Sequence, residues 1–154
     1  MTETLQSFKV GRLLMGNRFE FTVVSSDPAQ AQECLDAAVK EVQRIEALLS
    51  TYQETSETNL INRAAGEAPV KVSQETIQLI DRSIRISRIT QGAFDITYGS
   101  IDKRLWNFDQ TLSALPDRRT SRRMTRLIDY RNILIDHEES TVMLRHKGMR
   151  IGFG

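Results

Sequence analysis

From residue 27 to residue 50, the apolar residues Ala31, Leu35, Ala38, Val42, Ile45 and Leu49 recur at steps of four and three. That spacing lines them up on one stripe of an amphipathic α-helix, which must be packed against another layer. Asp27-Pro28 marks its start, an N-cap followed by proline at the first helical position, and Ser50 marks its end. Two runs precede it, residues 8–14 and 19–24, both rich in aromatic and β-branched side chains. Met15-Gly16-Asn17-Arg18 separates them, and its glycine and asparagine favour a tight reversal, so the pattern predicts a β-hairpin feeding a long helix.

Beyond the helix, residues 51–63 are polar, with Tyr52, Ser56, Glu57, Asn59 and Asn62 available for hydrogen bonding. This segment reads as a site loop, since loops held by rigid elements carry function disproportionately. Ser73 caps a second helix whose Ile77, Ile80, Ile84, Ile86 and Ile89 are expected to face inward, with Gly92 ending it in a left-handed conformation. The stretch that follows, Ala93-Phe94-Asp95-Ile96-Thr97, sets a carboxylate and a hydroxyl two residues apart just past the helix break. Trp106 and Phe108 fall in irregular chain, and Trp106 reads as a packing residue. Pro116-Asp117 introduces a third helix to about residue 127, and residues 133–136, 141–145 and 149–153 read as a terminal meander of short strands. No repeat or low-complexity linker divides the chain, so residues 1–154 are expected to form a single domain. Its class is α+β, a mainly antiparallel sheet packed by two long helices.

Composition excludes several classes. A chain of 154 residues with 40% hydrophobic and 27% charged residues can build a core, and a net charge of +1 argues against nucleic-acid binding through overall charge. The single cysteine, Cys34, cannot form an internal disulfide, which fits a reducing compartment. The N-terminus lacks the basic and then apolar pattern of a secretory leader, and no run approaches the roughly 20 apolar residues of a membrane span. The reading is a soluble, cytoplasmic product without a transmembrane segment. His137 and His146 have no third ligand nearby in sequence and do not read as a metal site.

Five pieces of the chain carry a resemblance: Met15-Gly16-Asn17-Arg18-Phe19-Glu20; Arg44-Ile45-Glu46 leading into Leu49-Ser50-Thr51-Tyr52; Ser56-Glu57 with Asn62; Gly92-Ala93-Phe94-Asp95-Ile96-Thr97; and Gly148-Met149-Arg150-Ile151-Gly152. In their order and spacing they resemble the FAD:protein FMN transferase (ApbE) family, over nearly the whole chain. The resemblance implies a T-fold-like architecture and an enzyme that splits FAD at its pyrophosphate. The FMN half is attached through a phosphoester to a threonine or serine of a target protein, with magnesium, and AMP is released. It further implies a flavin site of Met15, Tyr52, Ala93, Phe94, Asp95 and Gly152, the last matching a flavin-contact position that is often acidic in relatives. No catalytic residue is assigned and no metal ligand lies within the chain. The family's glycine-rich turn, lysine and Mg2+ ligands are expected beyond residue 154.

That expectation makes the fold incomplete at its C-terminus. It also leaves a sheet edge open to self-association and the 154-residue chain by itself unable to transfer FMN. The chosen residues keep simpler alternatives, with Met15 as a core filler, Tyr52 as a helix-end cover and Asp95 as a turn cap. Taken as a set in register, they favour the flavin-nucleotide site. A rival reading rests on Arg118, Arg119, Arg122, Arg123, Arg126 and Arg131, a basic face that could meet nucleic acid or an acidic protein. A solvated helix face without specific nucleic-acid binding is favoured, and a non-catalytic flavin-binding remnant stays as a third class.

Overall fold

The computed structural model describes residues 4–101 and 117–153. Trp106, Phe108 and Pro116 lie outside the described residues, as does Gly154. The described chain is α+β and divides into two compact units, residues 1–50 and 51–154.

In the first unit, β1 (Gln6–Leu14) pairs antiparallel with β2 (Asn17–Ser25) in an unbroken register from Gln6 opposite Ser25 to Leu14 opposite Asn17. The turn between them is Met15-Gly16, with φ of 51° and 71°. Two consecutive left-handed residues match the right-handed twist of the strands, and glycine is the natural second member of such a turn. Phe8 and Val10 alternate with exposed neighbours and pair across the hairpin with Val23 and Phe21. This face receives α1 (Pro28–Leu49), whose Ala31 and Leu35 are buried and whose Ala38, Val42, Ile45 and Leu49 are half-buried, as the stripe predicts. Asp27 caps the helix, accepting from the backbone N–H of Ala29 (2.8 Å) and Gln30 (3.2 Å).

The second unit holds α2 (Glu57–Arg63), β3 (Val70–Lys71), α3 (Gln74–Ile89), α4 (Arg118–Thr125), β4 (Ile133–Asp136) and β5 (Thr141–Leu144). Its sheet runs β3-β5-β4, antiparallel throughout. Ile61, Ile77, Ile80, Ile96, Val142, Leu144, Met149 and Ile151 form its buried core. No helix among the described residues is long and apolar enough to cross a membrane.

Four expectations change. The polar segment is not an open loop, because Ser56 caps α2 from within it. Its polar groups are taken up locally: Asn59 donates to the carbonyls of Thr51 (2.9 Å) and Gln53 (2.8 Å), while Glu57 accepts from Ser73 N (2.9 Å). Ile86 and Ile89 do not join the core, being 39% and 72% exposed. At about 100° per residue, Ile86 stands roughly 200° around the helix from Ile84. The left-handed helix exit begins one residue early, at Gln91 (φ 53°), and continues through Gly92. Residues 149–153 are not a strand, and the third strand of the sheet is the two-residue β3, too short to show a period in sequence.

Candidate functional site

Asp95 is the hinge of the site. It caps a short 3-10 turn, Ile96–Ser100, by accepting at Oδ1 from Thr97 N (2.8 Å) and Thr97 Oγ1 (2.6 Å). Its Oδ2 accepts from Tyr130 N (2.9 Å), the first residue of a second 3-10 turn, Tyr130–Asn132. One carboxylate thus ties two turns together, and the turn-capping role read as an alternative for Asp95 is realised. Each bond is charge-assisted, so the bracket is stiff.

Residues 149–153 run past this bracket without a strand partner and are pinned by side chains instead. Asn62 accepts from Ile151 N (2.7 Å) and donates to Ile151 O (3.0 Å), completing both backbone groups of a fully buried residue. Ser100 Oγ accepts from Arg150 N (2.9 Å), and Gly152 N donates to Ile96 O (2.9 Å). Gly152 is thereby fixed beside the Asp95 turn.

Asp95 lines two clefts. The first, about 520 Å³, is largely apolar and is bordered by Leu79 and Ile86 of α3 together with Phe94, Ile96, Tyr98 and Gly152. Leu79, Arg82, Ser83 and Ile86 are spaced i, i+3, i+4 and i+7, one helix face given over to this wall. The second, about 470 Å³, is polar and is bordered by Arg88, Gln91, Gly92, Asp129 and Arg131. There the Arg131 guanidinium donates to Asp129 (2.8 Å) and holds that carboxyl below its usual range, while the arginine is raised in turn.

Of the residues expected to bind flavin, Ala93, Phe94, Asp95 and Gly152 border the apolar cleft together. Tyr52 is 83% exposed and lines neither cleft, though its neighbour Thr51 comes within 3.6 Å of where a Cβ on Gly152 would stand. Met15 sits in the first unit, exposed at the hairpin turn rather than filling a core. The sequence reading missed Tyr98 and the Leu79, Arg82, Ser83 face; the off-stripe isoleucine at 86 is the signal that could have found the face.

The arginine-rich segment is split. Arg118, Arg119, Arg122, Arg123 and Arg126 are exposed on α4 or at its end, whereas Arg131 belongs to the second 3-10 turn and is paired. His137 Nε2 lies 3.5 Å from Asp81 on α3.

The model that defines the ApbE family matches residues 15–154. A curated FAD:protein FMN transferase from Klebsiella pneumoniae is 28% identical over 147 residues, covering 96% of this chain and 45% of that protein. One from Treponema pallidum is 26% identical over 156 residues, covering 97% and 43%. The crystal structure of the ApbE protein from Thermotoga maritima matches with a TM-score of 0.83 and 26% identity, covering 96% of this chain and 47% of that one. The chain thus spans less than half the length of these relatives.

Proposed function

The chain belongs to the ApbE family, and on that premise we propose that it is the N-terminal portion of an FAD:protein FMN transferase domain, with the clefts at Asp95 receiving the FAD. The reaction is transfer of FMN to a threonine or serine of a target protein, with release of AMP. The observation that carries this reading is that Ala93, Phe94, Asp95 and Gly152, 59 positions apart at their ends by the numbering, meet at one cleft whose wall the Asp95 bonds make rigid.

The roles follow from chemistry. Phe94 offers an apolar surface to a ring, and Tyr52, 83% exposed, an aromatic face for stacking. Asp95 Oδ2 keeps a lone pair beyond its bond to Tyr130, enough to accept from a ribose hydroxyl or a base N–H. Arg88 borders the polar cleft, where a guanidinium suits phosphate oxygens.

Cleavage at a pyrophosphate develops charge on phosphate oxygens, and cations with oriented donors lower that barrier. Magnesium would supply such charge, but among the described residues no three of His, Cys, Asp or Glu converge to hold it. The described residues do not by themselves fit the ion. Binding is therefore proposed for this stretch, and transfer for a protein of the relatives' full length.

Calorimetric titration with FAD tests the site: Tyr52→Ala and Asp95→Asn should each weaken binding by about 1–3 kcal/mol. Unchanged affinity in both overturns the assignment. For transfer, the chain is mixed with FAD, magnesium and a flavin-accepting protein, and flavin fluorescence is sought on the acceptor in a gel. A fusion to the remaining half of a relative should transfer and the 154-residue chain alone should not.

A further inference from the structure

Tyr98 borders the apolar cleft with its side chain 49% exposed. Its backbone is held at both ends of the 3-10 turn, with Tyr98 N donating to Asp95 O (3.2 Å) and Ile101 N donating to Tyr98 O (3.1 Å). The turn that Asp95 caps therefore also aims this phenol. A Cβ added to Gly152 would stand 3.4 Å from Tyr98 Oη and 3.7 Å from Cζ. The tip of the ring thus lies over the glycine, at ordinary van der Waals distance from where a side chain at position 152 would begin.

The polar atoms around the cleft differ in how far they are committed. Both oxygens of Asp95 already accept from Thr97 and Tyr130, and Ser83 Oγ donates to Leu79 O (2.8 Å). Tyr98 Oη makes no hydrogen bond to the described residues. Against Leu79, Ile86, Phe94 and Ile96, it is a neutral polar group placed to read a ligand's edge. An apolar cleft bordered by a hydroxyl uncommitted among the described residues suits a flat heteroaromatic ring, whose faces are apolar and whose rim carries donors and acceptors. Phosphates suit it poorly, because among the described residues a single guanidinium, Arg82, borders it together with the Asp95 carboxylate.

We infer that Tyr98 is a specificity-determining residue of this cleft: its Oη hydrogen-bonds the edge of a heteroaromatic ring of the bound nucleotide. The inference rests on the reading that the cleft receives FAD. The flavin and the adenine of FAD share the required chemistry, and fragments of FAD separate them.

The test titrates the full chain with FAD, riboflavin and AMP in the unmodified and Tyr98→Phe forms, alongside thermal unfolding. Losing one neutral hydrogen bond should weaken FAD about threefold to tenfold in Tyr98→Phe, with the unfolding midpoint unchanged. The same loss should appear for one fragment and not the other, which identifies the ring. FAD binding by Tyr98→Phe equal to that of the unmodified chain overturns the inference. So does an equal loss for both fragments, or a loss accompanied by a lower midpoint, since either signals general loosening. Failure of the unmodified chain to bind FAD overturns the underlying reading of the cleft and this inference with it.

Discussion

In the first unit neighbours in sequence are neighbours in space: β1 passes to β2 through Met15-Gly16, and β2 to α1 through Ser26-Asp27. In the second, Ile61, Ile80, Ile96, Leu144 and Ile151 come from five separate segments to share one core. Only Leu14, Ala31 and Leu35 among the described apolar residues of the first unit are fully buried. The difference teaches where a site can be built. Turns and unpaired segments hold a cleft open only when distant parts of the chain anchor them, and Asp95 and Asn62 do that in the second unit.

The largest effect should come from the shared core. Ile80 is fully buried, and Ile80→Ala should cost about 2–5 kcal/mol. Leu13, 79% exposed on the hairpin, should tolerate Leu13→Ala within about 0.5 kcal/mol. Urea unfolding measures both, and comparable losses would break the contrast.

Asn62→Ala comes next. It leaves the N–H and C=O of Ile151 buried without their partners, at about 1–3 kcal/mol. FAD binding should weaken with it, because Gly152 loses its anchor. Stability lost with FAD affinity intact would mean that the cleft does not depend on the long-range anchors.

Met15→Asn probes the local unit and acts in the opposite direction. Met15 holds φ 51° without the turn chemistry that favours it, and Asn-Gly is the preferred pair for such a turn. Thermal unfolding should show a gain of about 1 kcal/mol. If Met15 also contacts flavin, calorimetry should show weaker FAD binding in the same variant; a gain in both would remove Met15 from the site.

The smallest effect is electrostatic. The hydrogen bond from Arg131 is the main cause that lowers the Asp129 carboxyl, so the folded state favours its ionised form. The sign follows: this stabilisation is present above the unfolded carboxyl value of about 3.9 and is lost as pH falls through the lower folded value. Arg131→Gln should flatten the acid limb of the stability profile slightly, as expected of an exposed, solvent-screened pair. A steeper limb in the variant would contradict the pairing.

Much of the first unit was legible because its signals are local. A proline after an N-cap, a stripe at helical spacing and glycine in a tight reversal act within a few residues, and all three elements stand where the pattern puts them. The candidate site was legible only in part. Ala93, Phe94, Asp95 and Gly152 were named by resemblance, and nothing local says that Asp95 reaches Tyr130 or that residues 149–153 give up strand pairing for Asn62.

By itself, the sequence determined the α+β class, the helix caps at Asp27, Ser73 and Asp117, and the family. Tertiary structure decided which isoleucines of α3 are core and which are cleft wall. It also decided that the polar stretch after α1 becomes a helix, and that Tyr98 stands over Gly152. Caps and stripes are settled by bonds and faces within one or two turns of chain. The fate of a buried amide or an exposed phenol depends on which distant segment arrives beside it.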